Sequence, residues 1–273
     1  MFWKFLLQKQ NGEMKSLNLV IPVFNEEKRI CKTIETLKKG FSFNGLKLEK
    51  IIFVDDGSKD KTLFLLEKNK KELEKILKTK IGIISCRKNH GKGYAVRKGM
   101  LASEADYTLF SDADISTPLN EIKKFIPSMK KDIPVIIGTR KTGQSKIIKA
   151  QSLLRQILGR GFTVIANLIL GTNVTDFTCG FKVFSKKSKE IIFKNLKTER
   201  WSFDAEILFL AKKFDLTVKE IPVDWKDNGY SRVNLTRDLP LSFLELIKIR
   251  LDNFSPRFPS FKKGSLCPNF ICK

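Results

Sequence analysis

The sequence predicts an α/β protein built on a mostly parallel sheet, and three observations carry this prediction. Short apolar segments rich in Val and Ile recur through the first half of the chain, amphipathic segments separate them, and polar loops follow them. Strands that alternate with helices form βαβ units, in which helices cover both faces of a parallel sheet. The predicted strands span residues 17–23, 51–54, 81–84, 107–110 and 135–137.

The segments between these strands place apolar residues three or four positions apart, which predicts helices. These helices span residues 26–39, 62–78, 94–102 and 119–129. After residue 143 the predicted elements are a helix over 145–170, a strand over 177–184, a helix over 203–214, a strand over 217–223 and a helix over 239–251. We therefore expect one Rossmann-like domain over residues 17–252, a short N-terminal segment over 1–16 and a loose basic tail over 253–273.

The composition narrows the class of protein. The 273 residues carry 52 Lys and Arg against 29 Asp and Glu, a formal net charge of +23, and 42% of them are hydrophobic, which is ample for a packed core. Because only 11 of the basic residues are Arg, we interpret the excess first as a solvated lysine surface and second as attraction to phosphates or an anionic membrane. No segment reaches the roughly 20 apolar residues of a membrane span. Five scattered Cys and one His predict free thiols rather than a zinc site.

Polar loops follow three of the predicted strands, at residues 22–26, 54–62 and 111–118. Because open α/β sheets bind ligands at the carboxyl ends of their strands, these loops are candidates for one site. Asp112 and Asp114 in the third loop could hold Mg²⁺ or Mn²⁺, which prefer oxygen ligands. The alternative is a polar turn with a helix cap.

Two further segments allow two interpretations each. Asp55 and Asp56 could clamp ribose hydroxyls or a base, or form a tight turn that caps the next helix. The Gly-rich segment 89–93 could place Lys92 and Arg97 near phosphates, or serve only as a turn into a helix. It lacks the spacing of a Walker loop.

Nine motifs follow one another in an informative order. They are IPVFNEE (21–27), VDDGSKDKT (54–62), NHGKGYAVRKGM (89–100), SDADISTP (111–118), IIGTR (136–140), TDFTCGFKVF (175–184), RWSFDAEI (200–207), EIPVDW (220–225) and GYSRV (229–233). In this order the chain resembles the family 2 inverting glycosyltransferases with the GT-A fold. Within them it resembles the branch that loads sugar onto a polyprenyl phosphate, the dolichyl-phosphate β-glucosyltransferases and dolichol-phosphate mannose synthases.

The resemblance implies a role for each matching residue. The nucleotide sugar would contact Pro22, Phe24, Glu26, Asp55, Asp56, Lys92, Arg97, Asp112 and Ala113. Catalysis would involve Asp112, Asp114, Asp204, Glu206 and Arg232, of which Asp112 and Asp114 would hold the metal. The acceptor phosphate would contact Arg140, Arg155, Asp176 and Lys182.

The chain departs from the family pattern at four positions. Arg232 stands where Lys is usual, and Thr178 stands where Gln commonly precedes Cys-Gly-Phe. Ser116 replaces a Gln that is a third metal ligand in some mannose synthases, and Gly159 replaces a Ser that contacts phosphate in some relatives. These departures alter the geometry expected around the diphosphate and the acceptor.

The resemblance predicts metal-dependent, inverting transfer of a monosaccharide from a nucleotide sugar to a polyprenyl phosphate. UDP-glucose is the favoured donor and GDP-mannose the second. A phosphate acceptor needs no general base, because its second pKa of about 6 leaves it mostly dianionic near neutrality. A family 2 enzyme with a hydroxyl acceptor and a non-enzymatic basic module that binds nucleic acid or membrane are the alternatives.

The same hypothesis predicts where the protein works. We expect peripheral association with the cytoplasmic face of a membrane, with no nucleic-acid partner. The helix around residues 153–170 and the aromatic N-terminus (Phe2, Trp3 and Phe5) would dock onto anionic lipid. The sequence does not predict an oligomeric state.

Overall fold

A mixed seven-stranded sheet forms the centre of the protein in a computed structural model that describes residues 14–41, 45–141, 145, 147–149, 153–226 and 235–253. The strands are β1 Lys15–Val23, β2 Leu46–Asp55, β3 Lys80–Ser85, β4 Tyr107–Ser111, β5 Val135–Thr139, β6 Ile147–Lys149, β7 Phe181–Ser185, β8 Val218–Pro222 and β9 Trp225–Lys226. The large sheet has the order β3-β2-β1-β4-β7-β5-β8, while β6 and β9 form a small second sheet. Within the large sheet β7 alone runs antiparallel to its neighbours. The predicted α/β class with a mostly parallel sheet is confirmed.

Eight α-helices connect these strands in the described part of the chain. They are α1 Glu27–Lys38, α2 Thr62–Leu77, α3 Lys92–Leu101, α4 Ile126–Lys130, α5 Leu153–Leu170, α6 Lys186–Asn195, α7 Phe203–Lys213 and α8 Leu235–Asp252. The prediction of one helix over 119–129 is wrong, because a 3₁₀ helix over Leu119–Lys124 precedes α4, and Pro127 lies in the first turn of the new helix.

Two other predictions differ from the structure, and one helix was missed. The helix predicted over 145–170 is wrong in its first part, because β6 pairs with the distant β9 and α5 begins only at Leu153. The strand predicted over 177–184 begins at Phe181, because the preceding residues form a loop. Helix α6 was not predicted; Ser185 caps it by accepting a hydrogen bond from the Ser188 amide.

The two faces of the sheet pack against different helices. Along β1, Leu19 and Ile21 face the core layer of α1 and α2, whereas Val20 faces the layer that contains α3 and α5 to α8. This alternation follows from the period of two in a strand. Both faces are buried, as expected for parallel strands between two helical layers.

The carboxyl ends of the parallel strands meet at one edge of the sheet, which we call the active edge. Because β7 is antiparallel, it begins at this edge, where Phe181 pairs with Ser111 of β4. The loop before β7 therefore lies beside the loop after β4. This topology brings the motif around Cys179 and Gly180 next to Asp112.

The flanking segments 1–16 and 253–273 lie almost wholly outside the described residues, so the predicted domain boundaries stay a prediction. Arg232 also lies outside them. Over the part of the chain that the structure describes, no helix combines the length and apolar character needed to cross a membrane.

One glycine determines how closely α3 approaches the sheet. A Cβ atom on Gly99 would lie 2.5 Å from Val20 Cγ1 and 2.8 Å from Val54 Cγ2. Ala normally favours a helix over Gly by about 1 kcal/mol, but overpacking a core costs about 1–3 kcal/mol. Steric crowding therefore exceeds the gain in helix propensity at this position.

We expect Gly99→Ala to lower the free energy of unfolding by about 1–2 kcal/mol in urea denaturation. In the Val20→Ala background its cost should shrink, because one of the two crowding methyl groups is gone. Gly161→Ala on α5 is the control, since a Cβ there meets nothing within 4 Å and should not destabilise. An equal cost of Gly99→Ala in both backgrounds would contradict the packing argument.

Candidate active site

Hydrogen bonds join the loops that follow β1 and β2 into one surface. The Asn25 amide donates to Ser58 Oγ at 2.8 Å, and the Lys59 amide donates to Asn25 Oδ1 at 2.8 Å. The Glu26 amide donates to Thr62 Oγ1 at 2.7 Å. The structure thus brings together the two loops that were predicted to contact the nucleotide.

The predicted nucleotide contacts on the first loop have distinct environments. Pro22 is buried in β1 beside Val54, and Phe24 is partly exposed just after the strand. The carboxylate of Glu26 is buried and accepts two hydrogen bonds from Arg29, at 2.6 and 2.5 Å. Sequence reasoning missed Arg29, although its spacing of three residues from Glu26 on a helix was a usable signal.

The two carboxylates after β2 organise loops. Asp55 accepts hydrogen bonds from the amide and hydroxyl of Ser58, which supports the turn. Asp56 is 2% exposed and accepts from the Gly91 amide and from Asn89 Nδ2, both at 2.7 Å, and from the His90 amide. Burial raises the pKa of Asp56, and the two backbone hydrogen bonds lower it in part. This carboxylate therefore holds the 89–91 segment in place.

Lys92 and Asp112 form the centre of the active edge. Gly91, with φ +123°, precedes the first turn of α3, and Lys92 Nζ donates to Asp112 Oδ1 at 2.5 Å. Burial favours the neutral carboxyl, but the charge and hydrogen bond of Lys92 hold the pKa of Asp112 below its ordinary value. The rings of Phe110 and Trp201 lie 5.5 and 5.9 Å from the ammonium. The 89–93 segment thus places Lys92 beside the loop that carries the predicted metal ligands.

Hydrogen bonds also fix the residues that follow Asp112 in the loop after β4. Asp114 Oδ1 accepts from the Ser116 amide at 3.0 Å, and the Ala113 carbonyl accepts from Thr33 Oγ1 at 2.5 Å. Both carboxylates keep partial exposure at the active edge.

These residues fit a divalent cation. Asp112 already holds one cationic group, the Lys92 ammonium, and its side chain is 31% exposed. Among the described residues no group of three or more His, Cys, Asp or Glu could hold a metal. An ion on Asp112 and Asp114 would therefore take further oxygen ligands from water or substrate phosphates, as Mg²⁺ commonly does.

A second charged cluster follows β5. Arg140 donates to Asp176 from Nε at 2.8 Å and from Nη2 at 2.9 Å, and Nη2 also donates to Thr178 Oγ1 at 2.8 Å. Burial raises the pKa of Asp176, but the Arg140 charge outweighs it and lowers that pKa to about 2. Arg140 is thus fixed in one orientation, with its guanidinium carbon 5.3 Å from the Trp225 ring centroid. Thr178, one of the four departures, supports Arg140.

Lys141 adds a neighbouring cation that sequence reasoning missed. Its Nζ donates to Thr163 Oγ1 at 2.5 Å and to the Gly159 carbonyl at 3.1 Å, which ties the β5 loop to α5. Burial lowers the pKa of Lys141. Its position directly after Arg140 was the available signal. Arg155 lies on α5, but its side chain is outside the described residues.

Four predicted contacts have other roles in the structure. Lys182 is fully buried and donates to Asp204 at 2.5 Å, so its assignment to the acceptor phosphate is wrong. The carboxylate of Asp204, which was predicted to take part in catalysis, is paired with Lys182. Arg97 donates from Nε to the Phe193 carbonyl of α6, and its predicted phosphate contact stays a prediction. Glu206 is 1% exposed and accepts from the backbone amides of the 197–198 loop, so it supports that loop rather than facing a sugar.

The cysteines take no part in this chemistry as the structure places them. Cys31, Cys86 and Cys179 are free thiols, as predicted for the chain. Burial raises the pKa of Cys179 to about 12, so its thiol stays protonated beside the site. Cys267 and Cys272 are outside the described residues.

Gly180 makes the closest backbone approach to a predicted metal ligand. A Cβ at this position would lie 1.9 Å from Asp112 Oδ2, and the Asp112 amide donates to the Gly180 carbonyl at 3.2 Å. Any side chain at Gly180 would displace the carboxylate of Asp112. The reason for glycine is steric, because its φ lies outside the positive region.

We expect Gly180→Ala to weaken Mn²⁺ binding at least about tenfold, equivalent to about 1.4 kcal/mol, as measured by the free Mn²⁺ signal in electron paramagnetic resonance. Gly82→Ala in β3 is the matched control, because its Cβ would crowd the flexible end of the Lys50 side chain at 2.7 Å and meet the Ile51 carbonyl oxygen at an ordinary contact distance of 3.9 Å. Unchanged Mn²⁺ affinity in a folded Gly180→Ala protein would contradict the assignment of Asp112 as a ligand.

Comparison with known proteins places these features in a family. Residues 18–192 match the Glycosyl transferase family 2. The dolichyl-phosphate beta-glucosyltransferase of Saccharomyces cerevisiae is 34% identical over 263 residues, which cover 90% of this chain and 77% of that protein. The enzyme of the same name from Dictyostelium discoideum is 32% identical over 231 residues, covering 80% of this chain and 68% of that protein.

Solved structures agree on the fold. Mannosyl-3-phosphoglycerate synthase from Rubrobacter xylanophilus aligns with a TM-score of 0.64 at 14% identity, over 90% of this chain and 78% of that one. Glucosyl-3-phosphoglycerate synthase from Mycobacterium tuberculosis, crystallised with Mn²⁺, UDP-glucose and glycerol 3-phosphate, aligns with a TM-score of 0.55 at 17% identity, over 92% and 83%. The predicted GT-A fold is thereby confirmed. The family match over most of the sheet, together with relatives above 30% identity, shows that the chain is a glycosyltransferase and belongs to glycosyl transferase family 2.

Proposed function

We propose that this glycosyltransferase moves a monosaccharide from a nucleotide sugar to the phosphate of a dolichyl-type polyprenyl lipid, with inversion at the anomeric carbon. Relatives from two organisms that carry the name dolichyl-phosphate beta-glucosyltransferase support the acceptor and favour UDP-glucose as donor. GDP-mannose is the second donor to test.

The observation that carries the proposal is the presence of two separate charged clusters at one edge of the sheet. Asp112 and Asp114 follow β4, and Arg140 and Lys141 follow β5. The turn that precedes β7 lies between the two loops, and the positive charge of Arg140 contributes to the lowered pKa of Asp112. One cluster suits a leaving diphosphate and the other suits an attacking phosphate.

At the donor cluster the described residues supply charge and position. Asp112 and Asp114 would hold Mg²⁺ or Mn²⁺, which when bound offsets the charge that develops on the leaving diphosphate. Lys92 lies against Asp112 and is placed to pair with a diphosphate oxygen when that carboxylate is engaged elsewhere. The loops after β1 and β2, which are bonded to each other, would contact the nucleoside.

At the acceptor cluster Arg140 would orient the phosphate. Asp176 and Thr178 occupy Nε and Nη2 of Arg140, so the guanidinium is presented in a fixed orientation. A guanidinium matches phosphate geometry, and a preorganised group loses little entropy on binding. The dianionic acceptor can attack without losing a proton, which removes the need for a general base.

The direct test is a donor panel with dolichyl phosphate and either Mg²⁺ or Mn²⁺, followed by extraction of labelled lipid into organic solvent. We expect UDP-glucose to give the glucolipid, and Asp114→Ala or EDTA to reduce its formation at least about a hundredfold, as expected when a charge-stabilising group is lost. Glu67→Ala, an exposed carboxylate on α2, is the control and should retain activity. Equal glucosylation of dolichol without phosphate would favour the hydroxyl-acceptor alternative, and activity that survives both treatments would refute the metal assignment.

We also propose that α5 and α8 seat the protein on the cytoplasmic leaflet of a membrane. The exposed apolar side chains on these helices are Ile157, Val164, Ile165 and Leu168 on α5, and Leu241, Leu244, Ile247 and Leu251 on α8. The helices contact each other through Phe162 and Phe243, whose ring centroids lie 6.0 Å apart. Because Lys141 bonds to α5, this surface adjoins the acceptor cluster. The net charge of +23 favours an anionic leaflet.

Paired charge substitutions test the surface. Leu168 is 77% exposed and Leu244 64% exposed, so Leu168→Glu with Leu244→Glu should leave the fold intact. Since burying each Leu contributes about 1.5–3 kcal/mol, binding to phosphatidylserine-containing vesicles should fall more than about tenfold in sedimentation at about 0.15 M salt. Phe64→Glu, on α2 at the other face of the sheet, is the control and should bind like the unmodified protein. Equal loss in the control would point to a general charge effect and count against this surface.

A further inference from the structure

We propose that the buried ion pair between Lys182 and Asp204 is a positioning device for Asp112, and that it acts through the carbonyl of Cys179. This inference rests on the proposed function, because it concerns the carboxylate assigned to the metal and the donor diphosphate. It gives Lys182 and Asp204 a role that involves no contact with substrate.

The pair lies behind the active edge rather than in it. Lys182 is the second residue of β7 and is 0% exposed; Asp204, near the start of α7, is 6% exposed. Lys182 Nζ lies 2.5 Å from Asp204 Oδ1 and 2.7 Å from the Cys179 carbonyl oxygen. The ammonium therefore reaches back across the turn that precedes its own strand.

That turn determines where Asp112 can lie. Gly180 follows Cys179 directly, and its backbone is close enough to Asp112 Oδ2 that a Cβ would stand 1.9 Å away. The Asp112 amide also donates to the Gly180 carbonyl. A shift of the Cys179–Gly180 peptide would move one wall of the space that the carboxylate occupies. Lys92 contacts the same carboxylate through Oδ1.

Electrostatic interactions link the buried pair to the two charged residues of the active edge. Asp112, Lys92, Asp204 and Lys182 alternate in sign, and the charges of both Asp112 and Asp204 raise the pKa of Lys92 against the lowering effect of burial. The charge of Asp204 thus acts on Lys92 as well as on Lys182, with which it is paired. The pair is therefore placed to fix the position of the Cys179–Gly180 turn and to influence the electrostatic environment of Asp112.

Stability alone is a weak reason to keep such a pair. Burying two charges costs desolvation that their attraction often fails to recover, and apolar replacements of similar volume are frequently neutral or stabilising. A role in geometry explains why β7 and α7 bury a Lys and an Asp at positions that could hold two apolar residues, with the ammonium bonded to a turn.

The test uses a double variant, Lys182→Met with Asp204→Leu. It removes both charges at once, so the net charge near Asp112 is unchanged and no unpaired ion is left in the core. It also removes the hydrogen bond to Cys179. We expect the protein to stay folded, with Mn²⁺ affinity lowered at least about fivefold, equivalent to about 1 kcal/mol, and with a higher KM for the nucleotide sugar.

Lys189→Met is the matched control. Lys189 is also a buried ammonium, 2% exposed, and it also donates to a backbone carbonyl, that of Ser103. Ser103 lies between α3 and β4, before the strand whose far end carries Asp112. The control should bind Mn²⁺ like the unmodified protein, even where it loses stability.

The outcomes separate this inference from the proposed function. If the unmodified protein binds no Mn²⁺ and transfers no sugar, the proposed function fails. If it does both and the folded double variant retains its Mn²⁺ affinity and KM, the positioning role is overturned and the pair is structural only. Equal weakening in Lys189→Met would also overturn it, because the effect would then follow from lost packing in general.

Discussion

The antiparallel direction of β7 is the constraint on which the active edge depends. In a sheet of parallel strands every loop at the carboxyl edge leaves a strand, whereas the loop before β7 arrives at that edge. β7 lies between β4 and β5, so its leading turn stands between Asp112 and Arg140. Reversing this one strand would put Gly180 and Asp176 at the opposite end of the sheet.

Buried carboxylates hold the loops around this edge, and partly exposed ones remain available to ligands. Asp56 holds the 89–91 segment, Glu206 holds the 197–198 segment, and Asp176 holds Arg140. Each accepts several hydrogen bonds, which offsets the cost of burying its charge. Asp112 and Asp114 differ because they keep access to solvent. Burial thus distinguishes the Asp and Glu carboxylates that hold loops from Asp112 and Asp114, which are partly exposed to solvent.

The strands of the large sheet, their order along the chain and the loops of the active edge were predictable from local pattern. A run such as residues 17–23 is apolar because both faces of the sheet are covered, and the three polar loops follow such runs directly. Helix α3 was found within two residues of its start. Lys92 and Asp112 were both predicted to contact the nucleotide sugar, but their ion pair was not predicted.

The remaining features depend on contacts between distant segments, which a local pattern does not encode. β6 exists because residues near 147 pair with Trp225, so its helix-like composition was misleading. Three motif residues show this. Lys182 bonds to Asp204 in α7, and Arg97 bonds to the Phe193 carbonyl in α6. Glu206 accepts from the 197–198 loop. A motif thus identifies candidate site residues, and the tertiary structure decides which of their side chains lie at the active edge.

The contacts between the 91–94 segment and the 198–199 segment have a consequence for folding. The Tyr94 amide donates to the Glu199 carbonyl, and Gly91 and Gly93 have no room for a Cβ against the 198–199 backbone. These contacts join opposite halves of the chain, and contacts of high sequence separation form late because loop closure must precede them. The β1–β2–β3 layer can pair from neighbouring segments, whereas the donor loops acquire their final shape only when α7 arrives. Newly synthesised protein would therefore stay inactive until its C-terminal third has packed against the rest of the domain.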